Sequence, residues 1–333
     1  MNNFKKVGLT ALAGSLVAAS AYAGDMSVTG SASMKVRHVD GGAANAGKAF
    51  SMGNQLTFSG SGELDNGLNV SLSFVLDQGD DAKTTSIGSG TSTSQGTSPF
   101  DSHSVTVSSD ALGAIKFAGE GGANVQTAID TTAAGDLWDE SFGITKAQDP
   151  KTSAGGDNML SYTLPTLMEG VALSASYTPK GTGASSDTAF AVAYTGVEGL
   201  TLNYASGSDD STVGSESDTT TMKASYAYGP VTVSYSENEF DGAGSAVNTD
   251  QEVESYEIAY TVSDAISVSY GAEDIKTPDN ASDQDIEVSG VVASYTAGGM
   301  TIKGTMISAD NTAHGTAATE DKEQWSLEAS FAF

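Results

Sequence analysis

Polar and apolar residues alternate along most of this chain with a period of two. Met26, Val28, Gly30, Ala32, Met34 and Val36 fall on one face, and Ser27, Thr29, Ser31, Ser33, Lys35 and Arg37 on the other. Leu56 and Phe58 repeat the pattern against Gln55, Thr57 and Ser59. Leu68, Val70, Leu72, Phe74 and Leu76 repeat it against Asn69, Ser71 and Ser73. Near the end, Trp325, Leu327, Ala329, Phe331 and Phe333 oppose Ser326, Glu328 and Ser330. Period two is the mark of a strand with two different faces. Strands of soluble sandwiches average about six residues. Here the segments run near ten, about the length that crosses a bilayer when tilted. The polar face is small, hydroxylated and in places charged (Lys35, Arg37, Lys116, Lys223, Lys303), which suits a wet interior rather than a dry core.

The pattern predicts strands at 25–38, 50–63, 68–77, 101–109, 113–119, 157–164, 170–179, 187–195, 199–206, 219–228, 231–239, 251–262, 265–274, 285–295, 300–309 and 323–333. The connections alternate. Asp65-Asn66-Gly67, Asp110-Ala111-Leu112, Gly196-Val197-Glu198, Gly229-Pro230 and Ser263-Asp264 are tight. Long Gly/Ser/Asp-rich loops lie between them, at 78–100, 207–218, 240–250, 275–284 and 310–322. Lipid offers the backbone no hydrogen bonds, so only a closed sheet satisfies every peptide group without helices. The expected fold is all-β: a 16-stranded antiparallel transmembrane up-and-down β-barrel, with both termini on the short-turn side. Tyr162, Tyr194, Tyr228, Tyr260 and Tyr295 each come just before a short turn, and Phe333 ends the last strand at the same level. They are expected to form an aromatic girdle at one membrane interface.

The first residues stand apart from this pattern. Lys5 and Lys6 precede a small apolar run from Val7 to Ala19, and Ala21-Tyr22-Ala23 is an A-x-A cleavage site. The run is shorter than the roughly 20 residues of a membrane span. Residues 1–23 therefore read as a secretory signal peptide, and 24–333 as one barrel domain. An exported chain without cysteine carries no disulfide staples and no thiol chemistry.

The chain has 14 basic and 42 acidic residues. That balance argues against nucleic acid as a partner. Its acidic loops suit Ca²⁺ or lipopolysaccharide bridged by divalent cations, the plainer alternative being solvated loop charge. Asp209-Asp210, Asp279 to Asp285 and the group at 136–140 are the densest acids, and none has the spacing of an EF-hand loop. His38, His103 and His314 are scattered singly, and no nucleophile, phosphate-loop or zinc motif is present. An enzyme is not expected, and neither is a protein-bound cofactor or metal centre.

Three segments in order resemble the general diffusion porins of Gram-negative bacteria, in particular the alphaproteobacterial, Rhodobacter-like type. They are the signal peptide followed by Asp25-Met26-Ser27-Val28-Thr29-Gly30; Asn158-Met159-Leu160-Ser161-Tyr162-Thr163-Leu164-Pro165 with Glu169-Gly170; and the terminal Ser330-Phe331-Ala332-Phe333. The resemblance implies an outer-membrane homotrimer of water-filled channels for passive diffusion of ions and small solutes. It implies a third loop, here 120–156, folded into the lumen as a constriction that carries Glu120, Asp130, Asp136, Asp139 and Glu140. It implies a basic wall facing those acids, for which Lys35, Arg37 and Lys116 are the candidates, and a C-terminal Phe333 read by the barrel assembly machinery. Arg37 is the sole arginine, so the basic wall is thin and a cation preference is expected. The alternative is a secreted acidic structural or adhesive surface protein, which would not require alternating turn lengths or a terminal phenylalanine.

Overall fold

Runs of alternating Ser/Thr and apolar residues, with few prolines, favour extended backbone throughout. The structure is a computed structural model that describes residues 24–41, 47–77, 82–87, 90–95, 101–139, 157–180, 186–212, 215–242, 250–280, 282–316 and 320–333. The proposed leader, 1–23, lies outside them. The strands are β1 (Asp25–Asp40), β2 (Gly47–Glu63), β3 (Asn69–Asp77), β4 (Ala82–Ile87), β5 (Gly90–Gln95), β6 (Ser102–Ser109), β7 (Gly113–Glu120), β8 (Met159–Thr163), β9 (Val171–Thr178), β10 (Asp187–Val197), β11 (Leu200–Thr212), β12 (Ser215–Tyr228), β13 (Val231–Asp241), β14 (Gln251–Ser263), β15 (Ile266–Lys276), β16 (Ile286–Ala297), β17 (Met300–Asp310) and β18 (Lys322–Ala332).

All of these except β4 and β5 close into one antiparallel barrel of 16 strands, each paired with its neighbour in the chain and β18 returning to β1. Closure is completed by the last residue. Gly30 N–H donates to the Phe333 carbonyl at 2.7 Å, and Phe333 N–H donates back to Gly30 at 3.0 Å. Each of the sixteen expected strands has its counterpart. Two details differ. The expected loop 78–100 contains the separate β4–β5 hairpin. The expected loop 207–218 is mostly ladder, with Ser208 opposite Asp218 and Thr212 opposite Ser215. Its Gly/Ser/Asp composition resembles a loop, but strand propensity is weak and context-dependent, and here the neighbouring strand supplies the register.

Directly opposed residues share a face, so register carries the inside–outside assignment around the ring. Met26, Met34, Phe50, Tyr177, Phe190, Tyr235, Tyr256, Met306 and Trp325 stand exposed on the outer face. Tyr162, Tyr194, Tyr228, Tyr260 and Tyr295 share that face next to the short turns. Gly199 and Gly229 at two of those turns have φ of 77° and 58°, the left-handed region that glycine adopts at least cost.

The interior departs from a uniformly wet lumen. Val253, Ile275, Ile286, Val288, Ile307 and Ala309 point inward from β14–β17 and are buried with Ala134 and Leu137. The alternation is inverted there: Glu252, Glu254, Asp274, Glu287 and Asp310 take the outer positions.

Candidate functional site: the lumen and its docked loop

The segment after β7 supplies the dry cluster's cover. Residues 121–139 run along the inside of β9 and β12–β16. One cross-strand rung, Lys223–Ser236–Ser255–Glu273, anchors the middle of the segment. The Lys223 ammonium donates to the Thr131 carbonyl. Ala133 N–H donates to Ser236 Oγ at 2.7 Å, and Ala134 N–H to Ser255 Oγ at 2.9 Å. Glu273, fully buried, accepts from the Thr132 hydroxyl and, at 2.9 Å, from Trp138 N–H.

The rung above adds two anchors. Gln126 Nε2 donates to Thr221 Oγ1 at 2.7 Å, and Asn238 Nδ2 to the Asp130 carbonyl at 2.8 Å. On β9, Ser176 Oγ accepts Val125 N–H at 3.2 Å. Small inward hydroxyls thus replace the water that an irregular backbone needs when it is packed against a wall. Leu137 adds the apolar share, worth about 1.5–3 kcal/mol when such a side chain is fully buried.

Asp136 shapes the loop it was expected to line. It adopts φ 57°, accepts Thr132 N–H on Oδ1 at 2.8 Å, and donates its own N–H to Thr132 Oγ1 at 2.8 Å. Thr132 in turn donates a hydrogen bond from its hydroxyl to Glu273, so the turn and the wall share one hydrogen-bonded chain. Asp130 is half-buried beside it. Burial first, and the Asp136 charge second, push the Asp130 carboxyl up to about 6 against the opposing pull of Lys223.

The other expected loop acids lie elsewhere. Glu120 ends β7, 3.7 Å from the His103 imidazole. Asp139 closes a short 3-10 turn, Leu137–Asp139, and Glu140 falls outside the described residues.

Lys35, Arg37 and Lys116 all take inward positions. Around the ring, β7 with Lys116 stands eight strands from β15, diametrically across the lumen from the Glu273 anchor. β1, with Lys35 and Arg37, is four strands from β15 but six from β13 and seven from β12, the strands whose Asn238 and Lys223 lie beside Asp130. Two inward charges not singled out from sequence join them: Glu257 on β14 beneath the loop, opposite Ser234, and Glu328 on β18, opposite Lys35.

Among the described residues no three His, Asp or Glu side chains converge to hold a metal ion. His38 sits 3.2 Å from Asp40 and His103 against Glu120, while the His314 ring bonds the Gln284 carbonyl at 2.8 Å.

A closed barrel, apolar outside, with a loop folded onto its inner wall is the geometry of a constricted membrane channel. The family described as Gram-negative porin matches residues 8–287. The chain belongs to that family. No curated protein matches it. Among solved structures it is similar to an anion-selective porin from Comamonas acidovorans, at 19% identity and TM-score 0.65 over 93% of this chain and 100% of that one. It is also similar to variants of the Rh. blastica porin, one at 16% identity and TM-score 0.62 over the same shares. At such identities these likenesses speak for the fold. Family and fold make the protein an outer-membrane channel for diffusion and not an enzyme.

Proposed function

We propose that this porin passes ions and small hydrophilic solutes down their gradients with a preference for cations. The observation that supports the reading is the loop 121–139 held on the inner wall: Asp130 and Asp136 belong to it, and Glu257 faces inward on the strand beneath. Fixed carboxylates in a narrow aqueous path raise the local concentration of counter-ions. The Comamonas acidovorans porin is described as anion-selective on a similar barrel, so lining charge rather than fold decides the sign. The test is the reversal potential of purified protein in a planar bilayer across a salt gradient. A potential of cation-selective sign with ohmic steps supports the reading; an anion-selective sign rejects it.

The assembly proposed with this function is a homotrimer, delivered by the barrel assembly machinery through Phe333. Tyr162, Tyr194, Tyr228, Tyr260 and Tyr295 serve as the girdle at the lipid interface on the short-turn side. The outward acids Glu252, Glu254, Asp274, Glu287 and Asp310 lie toward the long loops, above the apolar belt. There they meet lipopolysaccharide phosphates, with Ca²⁺ or another divalent cation completing its coordination from both partners.

A further inference from the structure

We propose that Glu328 is a selectivity-determining residue: an inward carboxylate seated between Lys35 and Lys303 that masks an anion-attracting patch on the wall of β17, β18 and β1. The inference rests on the channel reading above and concerns a different wall from the loop.

Register makes the case. Glu328 is the direct partner of Lys35 on one side and of Lys303 on the other. Directly opposed side chains on one face of an antiparallel pair have Cβ atoms about 4.5–5.5 Å apart. All three are inward, because their neighbours Val36, Leu327 and Ile302 take the outer face. None of the three is buried, so the patch borders the water of the lumen. Glu328 Oε1 lies 3.4 Å from Ser330 Oγ, the next inward residue of the same strand.

One rung nearer the long loops, Arg37 faces Ser326 on β18 and Ala49 on β2, neither of them charged. Ser326 and Thr305 bond each other at 2.6 Å, which completes a polar rung without a carboxylate. Among the direct cross-strand partners of the three cations Lys35, Lys303 and Arg37, Glu328 is thus the one carboxylate. Oppositely charged neighbours cancel most of their field at a distance greater than their separation. Removing the carboxylate leaves three like charges on three adjacent strands, in a cavity whose low-dielectric walls focus their field.

The mechanism needs only the cross-strand placement. With Glu328 ionised, the patch attracts anions weakly and the loop acids dominate. With it neutral, the patch draws anions such as carboxylate or phosphate solutes toward β1 and competes with the loop acids. Glu328 thus tunes the sign that Asp130 and Asp136 set.

The experiment compares native protein, Glu328→Gln, Lys303→Gln and the double variant by reversal potential in planar bilayers at 0.1 M salt. The flux of an uncharged sugar into liposomes serves as the control for pore width. One lumenal charge acting through water at several Å is worth about a twofold to threefold change in permeability ratio. Glu328→Gln is expected to lower the cation-to-anion ratio by that factor and Lys303→Gln to raise it. The double variant is expected to return near the native value, with sugar flux constant throughout. The differences should shrink at about 1 M salt, where screening shortens to about 3 Å.

If Glu328→Gln assembles and leaves the ratio unchanged, the proposal is overturned. It is overturned equally if the shift comes with altered sugar flux. Should Glu328→Gln fail to assemble, Lys303→Gln alone decides: a raised ratio supports the patch and an unchanged one rejects it. Native protein that forms no channel would instead remove the parent reading.

Discussion

Trp138 and Glu273 stand 135 positions apart in the chain, yet the backbone N–H of one donates to the carboxylate of the other at 2.9 Å. The same carboxylate takes the Thr132 hydroxyl, so one fully buried side chain on β15 holds two points of the loop. A carboxylate accepts on both oxygens, whereas an amide must turn an NH₂ toward one of two donors. Hydrogen bonds to charged groups contribute about 1.5–3 kcal/mol each. Glu273→Gln is therefore expected to loosen the loop while the barrel, whose ladder does not involve this side chain, still closes. Liposome swelling with sugars of increasing size should show a larger exclusion limit, and single-channel records more open-state noise. An unchanged limit would mean that the remaining anchors suffice.

Gly271 is the second requirement of the same contact. A Cβ added there would stand 2.5 Å from the methyl of Ala134, a residue of the docked loop. Valine suits a strand, so Gly271→Val keeps the backbone and removes only the space. Overpacking of this kind costs about 1–3 kcal/mol, and the loop rather than the wall is expected to give way. The predicted result is a barrel of native heat-modifiability on gels with altered conductance. Native conductance would show that the loop accommodates the methyls.

The barrel was readable because alternation, turn spacing and strand length all point to it. Register then follows from pairing each strand with the next. The loop's seat was not readable in the same way. Ser236, Ser255 and Glu273 each look like ordinary lumen residues within their own strands, and only closure brings them into one rung beneath residues 131–138. One signal was present in the chain and bears on this directly. In β14–β17 the upper half of each strand reverses its phase, with Val253, Ile275, Ile286 and Val288 inward and Glu254, Asp274 and Glu287 outward. Apolar residues turned toward a lumen need a cover, and acids turned outward lie beyond the lipid. Lys35 and Arg37 were identified by face, but their angular distance from the loop depends on the strand order around the ring.

The final strand offers a separate test. Gly30 leaves no room for a side chain, because a Cβ there would run into the Phe333 ring. Phe333 in turn closes the β1–β18 seam through two backbone hydrogen bonds with Gly30. Deleting Phe333 removes both bonds and the ring, while Gly30→Val displaces the ring and spares the residue. Both variants are expected to lower the yield of heat-modifiable barrel in outer membranes, the deletion more strongly. Channels that do form should keep native selectivity, since neither residue faces the lumen. Native yield from the deletion would remove Phe333 from assembly.

Proton concentration should act on selectivity through Asp130. Its carboxyl is raised to about 6, with burial the larger cause and Asp136 the next. Above that pH the group is ionised and adds one negative charge to the passage. Below it the group is neutral, and the charge is gone well before an ordinary aspartate would lose it. The cation-to-anion ratio is therefore expected to fall between about pH 7.5 and 5, with a midpoint near 6, by roughly the twofold to threefold that one lumenal charge supplies. Asp130→Asn should hold the low-pH ratio at every pH in that window and abolish the step. Its loop should stay seated, because Asn238 bonds the backbone carbonyl of residue 130 and not its side chain. Reversal potentials at matched salt across the window measure both curves. A step of the same size in Asp130→Asn would assign the titration to another group, and a flat native curve would mean that this carboxyl does not face the ion path.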